Sequence, residues 1–180
     1  MIKTASVVPL TQGQVAFVDA GYHEWLSERK WYAHWDPHTK SFYAARMLPS
    51  TPEHPKRRTI LMHNAIWEHH NGPIPDGFTV DHVNRDTLDN RLSELRLASY
   101  SQQGQNRGLR SSNTSGYRGV SWDKHSGKWR ARIRLDGKEI YLGLFADEKE
   151  AARAYDAAAR IHHDPAFAQL NFPDETPRKN

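Results

Sequence analysis

Two stretches of the 180-residue sequence carry side chains whose types and spacing could act on a phosphodiester. In TVDHVNRDTLDNRLSELR, Asp81 stands directly before His82 at the end of a strand-like run. A carboxylate of this kind holds a hard cation such as Mg2+ or Mn2+ through oxygen. An imidazole takes a proton from water near neutral pH. Together they suit metal-assisted cleavage, in which the ion polarises the phosphate and stabilises the leaving oxygen. An isolated Asp-His pair more often serves a structural hydrogen-bonding role, so the two residues need their context.

The second stretch is KWRARIRL, residues 128–135. Successive side chains of a strand point to opposite faces. Trp129, Ala131, Ile133 and Leu135 therefore share one face, and Arg130, Arg132 and Arg134 the other. In the following KEIYLGLF, Glu139, Tyr141 and Gly143 alternate with Ile140, Leu142 and Leu144, so Tyr141 can share the arginine face. Three aligned guanidinium groups repel one another and require an anion. A strand pair fits the DNA major groove, where Arg donates two bonds to guanine O6 and N7. A solvated polar face is the alternative, but three Arg with one acid nearby favour nucleic acid.

The elements that must position these residues follow from the pattern. Residues 5–19 alternate around TQGQ and predict a β-hairpin. HEWLSERKW (23–31) predicts a short helix, and WYAHWD and SFYAARML predict strands joined by DPHTK. Residues 58–70 begin strand-like and end with helical spacing; NGPIPDG is a turn and FTVDHV a short strand. An Asn-containing loop then leads to RLSELRLAS (91–99), where Leu92, Leu95 and Leu97 suggest the side of a helix. GQNRGLRSSNTSG has the composition of a linker. Beyond it, YRGVSW, KWRARIRL and KEIYLGLF predict three strands with DKHSG and Asp-Gly turns. A helix begins at Asp147, with Glu150 three residues on as a capping box. Its Ala-rich surface would lie close on the sheet. LNFP closes the unit.

Charge is unevenly spread along the chain. Residues 61–106 hold three Lys/Arg against six Asp/Glu, whereas residues 107–145 hold nine against three. A cation-binding part beside a polyanion-binding part is the corresponding expectation. There is no cysteine, which excludes disulfides, thiol nucleophiles and Cys-based zinc sites, and makes a cytosolic address the default. No apolar run approaches the roughly 20 residues of a membrane span, and MIKTASVVPL lacks the features of a secretory signal.

SGYRGVSW, GKWRARIR, YLGLF, EAARAYDAAA and LNFP, in this order over residues 112–173, resemble the plant ethylene-response-factor (apetala-two-type) DNA-binding domain. The resemblance implies a three-stranded antiparallel sheet packed on one helix and laid in the major groove. It implies Arg118, Arg130, Arg132, Arg134 and Tyr141 as DNA contacts, with Lys128 and Lys138 beside them. Ser121 stands where plant members commonly have Arg, so plant target preference does not transfer.

LMHNAIWE, PDGFTVDHVNRDTLDNRLSELRLAS and SQQGQNR resemble the phage-type HNH homing endonucleases, and VPLTQGQVAFVD and RKWYA resemble their usual N-terminal part. The implied fold is α+β: a β-rich region leading into a ββα-metal (His-Me) finger with one divalent ion. By this resemblance His82 is the general base and Asp81 the first metal ligand. Asn90 pins the turn that aims His82. Gln103 stands at the position of the last ligand, with Asn106 competing for it. Glu94 replaces the middle Asn of the motif. His63 matches the family's Met-His, in a packing or phosphate-contact role.

The expected organisation is an endonuclease domain over 1–106 with the finger at about 58–106, a linker over 107–116, a DNA-binding domain over 117–173 and a tail over 174–180. The expected partner is double-stranded DNA, for a monomer or weak homodimer in the cytoplasm of a cell hosting a phage or mobile element. A non-catalytic DNA-binding regulator is the rival reading. His69 and His70 read as surface residues, His162 and His163 as helix-end charge or surface, and Trp25, Trp31, Trp35 and Trp67 as core aromatics. A zinc site from His54, His63, His69 or His70 lacks both Cys and a ligand spacing.

Overall fold

The computed structural model describes residues 5–52, 55–109, 112–135 and 137–175. His54, Arg110 and Ser111 of the expected linker, Asp136 of the Asp-Gly turn, residues 1–4 and the end of the tail lie outside the described residues. The chain forms two compact units, 1–98 and 99–180.

In the first unit, β1 (Ala5–Pro9) and β2 (Val15–Asp19) make the expected hairpin, Ala5 opposite Asp19 and Pro9 opposite Val15. α1 (Ala20–Ser27) follows without a break. β3 (Tyr32–Asp36), β4 (Ser41–Leu48) and β5 (Arg58–Leu61) form an antiparallel sheet with β4 in the centre. α2 (Met62–Asn71) leads to β6 (Phe78–His82). The core gathers Val18 of β2, Leu26 of α1, Met62 and Ile66 of α2 and Val80 of β6, together with Trp31 and Leu95. Trp31 is buried and its indole N–H donates to the Leu26 carbonyl, 2.9 Å, whereas Trp35 is 47% exposed and is not a core residue. His69 and His70 are exposed, but His69 stacks on Trp25 and Tyr22 Oη lies 2.6 Å from His70 Nδ1.

Residues 91–99 are not a helix. One 3-10 turn, Leu92–Glu94, runs into β7 (Leu95–Ser99), which pairs with β6. The Val83 amide donates to the Glu94 carbonyl (2.9 Å) and Thr79 Oγ1 to the Ala98 carbonyl (3.4 Å), which fixes an antiparallel register. An available β6 edge outweighs a three-leucine helical spacing, since strand preference is set by cross-strand partners and burial. Helix resumes as α3 (Tyr100–Asn106), entered through a capping box in which Ser99 and Gln102 bond each other's backbone amides. The Ser99–Gln102 spacing is the signal that marks it.

α3 belongs to the second unit. Gln102 Nε2 donates to Asp164 (2.9 Å), the Asp164 amide to Gln105 Oε1 (3.1 Å), and Gln169 Nε2 to Asn106 Oδ1 (3.1 Å). β8 (Val120–Asp123), β9 (Lys128–Leu135) and β10 (Lys138–Phe145) form the expected antiparallel sheet, with β9 central. α4 (Glu148–His162) packs its Ala151, Ala152, Tyr155, Ala158 and Ala159 against Val120, Ala131 and Ile133. Asp147 caps it by accepting from the Lys149 and Glu150 amides at 2.9 and 3.0 Å. Buried Asp156 anchors the LNFP segment, accepting from the Asn171 and Phe172 amides at 2.8 and 2.7 Å. Gly119, at φ +73°, touches this packing closely: a Cβ there would meet the Tyr155 ring and lie 2.6 Å from the Arg132 carbonyl.

Candidate active site and nucleic-acid interface

β6 presents Asp81 and His82 to opposite sides, as the strand period requires. Asp81 lies across from Arg96 of β7, whose Nη2 and Nε reach its Oδ2 at 3.1 and 3.2 Å. These side chains are only 17% and 15% exposed, so the pair is weakly screened.

His82 points inward and is buried. Its Nε2 lies 3.4 Å from Asn90 Oδ1. Asn90 is fully buried, and its Nδ2 donates to the Leu88 carbonyl at 3.1 Å, which leaves the amide oxygen for the imidazole. An oxygen there accepts only, so it selects the Nε2–H tautomer and puts the lone pair on Nδ1. Burial pushes the His82 pKa below its ordinary value, against the Asn90 bond and the carboxylates of Asp81, Asp86 and Asp89. The ring is a neutral base at neutral pH.

The loop between β6 and the 3-10 turn is built to hold Asn90. Asn84 Oδ1 accepts from the Asp86 amide (2.9 Å), and Asp86 Oδ1 from the Leu88 amide (3.0 Å). Asp89 accepts from Asn84 Nδ2 and Arg91 Nε, both at 2.8 Å, and the Arg91 bonds hold its carboxyl below the usual range. The loop then docks on β2: the Phe17 amide donates to Leu88 (2.8 Å) and the Asn90 amide to Phe17 (2.7 Å). Asp19 Oδ2 accepts from the Leu92 amide at 2.8 Å, and Thr87 Oγ1 donates to the Phe42 carbonyl at 2.6 Å. Asp19 and Asp89 are supports that sequence reasoning missed. The signal for Asp89 was the run of Asn and Asp at short spacing, each able to bond a backbone amide two residues on; Asp19, 73 residues from Leu92, had none.

His63, in the first turn of α2, completes this interior. Its ring centre lies 4.9 Å from that of His82, edge to face, and 5.8 Å from that of Tyr43. Burial, and next the His82 charge, push its pKa down to about 3. The buried ring packs edge to face on His82 and tilted against Tyr43.

Gln103 and Asn106 lie on α3, in the second unit. Asn106 is buried there on Gln169. Among the described residues no cluster of three or more His, Asp or Glu could hold a metal ion. The donor chemistry at Asp81 nonetheless fits a hard divalent ion, since carboxylate and amide oxygens are what such ions take.

In the second unit, Lys128, Arg130, Arg132 and Arg134 fall on one face of β9, with Ala131 and Ile133 buried on the other. Tyr141 sits opposite Arg132 and is 60% exposed. Arg132 Nη1 reaches both Glu139 oxygens, 3.0 and 2.9 Å, and Arg130 lies 3.7 Å from Asp123. The alternation does not run through β10. A bulge between Tyr141 and Gly143 turns Leu142 and Phe145 to the core and sets Leu144 opposite Arg130. Lys138 pairs with Leu135, so the register puts it off the arginine face. Arg118 has its backbone clamped by Asn171 on both amide and carbonyl, at 2.7 and 3.2 Å. His162 is exposed, but His163 is buried with Nε2 3.4 Å from the Arg134 carbonyl. Burial lowers the His163 pKa, so it is not a helix-end charge.

Residues 61–105 match the HNH endonuclease family and residues 115–160 the AP2 domain. The chain joins an HNH endonuclease domain to an AP2 domain. The HNH match spans β5 to α3 and includes Asp81, His82 and Asn90; the AP2 match spans β8 to most of α4. Protein 3.8 of Escherichia phage T7 is 40% identical over 77 residues, 43% of this chain and 64% of the phage protein. The ethylene-responsive transcription factor WRI1 of Arabidopsis thaliana is 41% identical over 95 residues, 52% of this chain and 20% of its own length. The AP2-like factor AIL7 of the same plant is 58% identical over 45 residues, 24% of this chain and 9% of its own. The chain thus spans less than two thirds of these relatives. No helix of the described residues is long and apolar enough to cross a membrane.

Proposed function

We propose that this HNH–AP2 chain is a site-specific DNA endonuclease of the homing type, with His82 as general base. One observation carries the reading: a buried imidazole whose Nε2 faces Asn90 Oδ1, at the end of the strand that presents the carboxylate of Asp81 on its other side. His82 Nδ1 takes the proton of a water as that water attacks phosphorus, leaving 3′-hydroxyl and 5′-phosphate ends. Asn90 keeps the ring from rotating, and the loop docked on β2 keeps Asn90 in place. Asp81 would hold one Mg2+ or Mn2+, and the family resemblance assigns Gln103 as the last ligand. When bound, that ion supplies charge to the phosphate and the leaving oxygen. Arg118, Lys128, Arg130, Arg132, Arg134 and Tyr141 hold the duplex. The chain acts as a monomer or weak homodimer in the cytoplasm of a cell hosting a phage or mobile element.

A second reading has its own support. Arg96 already neutralises Asp81, and Glu94 and Gln103 stand at the motif's Asn and His positions. A finger without a cation would leave a DNA-binding regulator. Supercoiled plasmid incubated with the protein and Mg2+ or Mn2+ separates the two. Metal-dependent nicking that His82→Ala abolishes supports the endonuclease. No nicking with either ion, or equal nicking by both proteins, supports the regulator.

A further inference from the structure

Residues 107–109 and 112–114, within the expected linker, line a basic pocket. A cavity of about 510 Å3 opens between these residues and the sheet. Arg107 and Gly108 line one side, and Arg118, Arg132 and Arg134 the other. Glu139 is the one carboxylate among its described lining residues, and it is already bonded to Arg132.

Arg107 and Asn113 are each fastened by hydrogen bonds. Arg118 Nη2 donates to the Arg107 carbonyl at 2.5 Å, directly after the α3 turn that Asn106 fastens to Gln169. Farther on, Asn113 accepts from the Gly116 amide (2.7 Å) and donates to the Tyr117 carbonyl (2.8 Å). Four arginines line this one cavity, and a bound anion would relieve the repulsion among their charges. The pocket continues the arginine face of β9, so an anion seated there would belong to whatever that face binds.

We propose that the pocket seats a backbone phosphate of duplex DNA, with Arg107 as a contact from outside the AP2 match, which begins at residue 115. The proposal rests on reading the β9 face as the DNA interface. A phosphate contact adds affinity without sequence preference, while base reading stays with the sheet. Because Arg118 bonds the main-chain carbonyl of residue 107, replacing the Arg107 side chain leaves that bond in place. Arg107 is also exposed, so its loss leaves the core untouched.

The test is fluorescence anisotropy on the intact chain in EDTA, with labelled duplexes of two unrelated sequences over a salt series. Arg107→Ala should weaken both duplexes alike, on the order of fivefold, and flatten the slope of log K against log salt by about 0.9. Arg107→Lys, which keeps the charge, should retain the slope. Binding by Arg107→Ala with the wild-type affinity and slope, while Arg132→Ala binds weakly, overturns the pocket alone. A loss confined to one sequence overturns the phosphate assignment. If Arg132→Ala also binds as wild type, the β9 interface fails and the pocket with it.

Discussion

The loop that holds His82 and the sheet face that carries the arginines use polar side chains in opposite ways. Around His82, the loop's polar side chains are engaged within the chain: Asn90 on Leu88, Asp89 on Asn84 and Arg91, Asp19 on Leu92. On β9, the guanidinium groups stand half-exposed on an otherwise open face. The difference teaches where sensitivity to mutation should lie. A buried polar network fails abruptly, because each lost partner leaves another group unsatisfied. An exposed charged face weakens in steps and responds to salt.

The largest effect should come from the face as a whole. Replacing Arg130, Arg132 and Arg134 together by Ala should lower duplex affinity by a factor of at least about 100 and reduce the salt slope by up to about 3. Filter binding or anisotropy over a salt series reads this directly. Folding should change little, since these side chains point away from α4. A large loss of thermal stability would break the contrast.

Next comes pH. His63 has a pKa of about 3 when folded, because burial disfavours its charge, against 6.5 for an ordinary His. Between those values the unfolded chain binds a proton that the folded chain does not. Stability therefore falls as pH drops from 6.5 toward 3, on the order of 3 kcal/mol by pH ~4. Urea unfolding across that range should show the loss, and His63→Phe should flatten it. An unchanged pH profile in the variant would place the acid sensitivity elsewhere.

Asn90→Ala sharpens the same contrast at a single side chain. It removes the acceptor of His82 and a donor to Leu88, which should cost about 1–3 kcal/mol of stability. Cleavage of a bound duplex should slow roughly 10–100-fold with DNA affinity unchanged. The smallest effect should be a gain. Arg85 sits exposed at φ +64°, a backbone conformation that glycine adopts without strain. Arg85→Gly should stabilise the loop by up to ~1 kcal/mol in thermal unfolding.

Much of the second unit was legible because one rule governs it. The strand period separates Ala131 and Ile133 from the arginines without any knowledge of the rest of the fold. That rule stops at the β10 bulge, where one extra residue, Leu142, reverses the phase for Leu144 and Phe145. The hairpin of β1 and β2 was legible, as was the place of Asp81 and His82 at the end of a strand. The surroundings of His82 were not. They depend on residues far apart in sequence, such as Asp19 on Leu92 and Phe17 on Asn90, and spacing along the chain does not reveal such pairs. β7 was read as helix for the same reason: its cross-strand partner lies 15 residues away, at Asp81. His163 was read from its helix-end position, but the packing of α4 on β9 buried it.

In the proposed division of labour, cleavage depends on the buried imidazole and holding DNA on the exposed face. One experiment reads both on one sample: single-turnover cleavage of a labelled duplex by His82→Ala and wild type, at protein concentrations that saturate binding. The account predicts that His82→Ala binds the duplex as wild type does and, with Mg2+ or Mn2+ present, cleaves it at least ~100-fold more slowly. Cleavage at the wild-type rate by His82→Ala would contradict it.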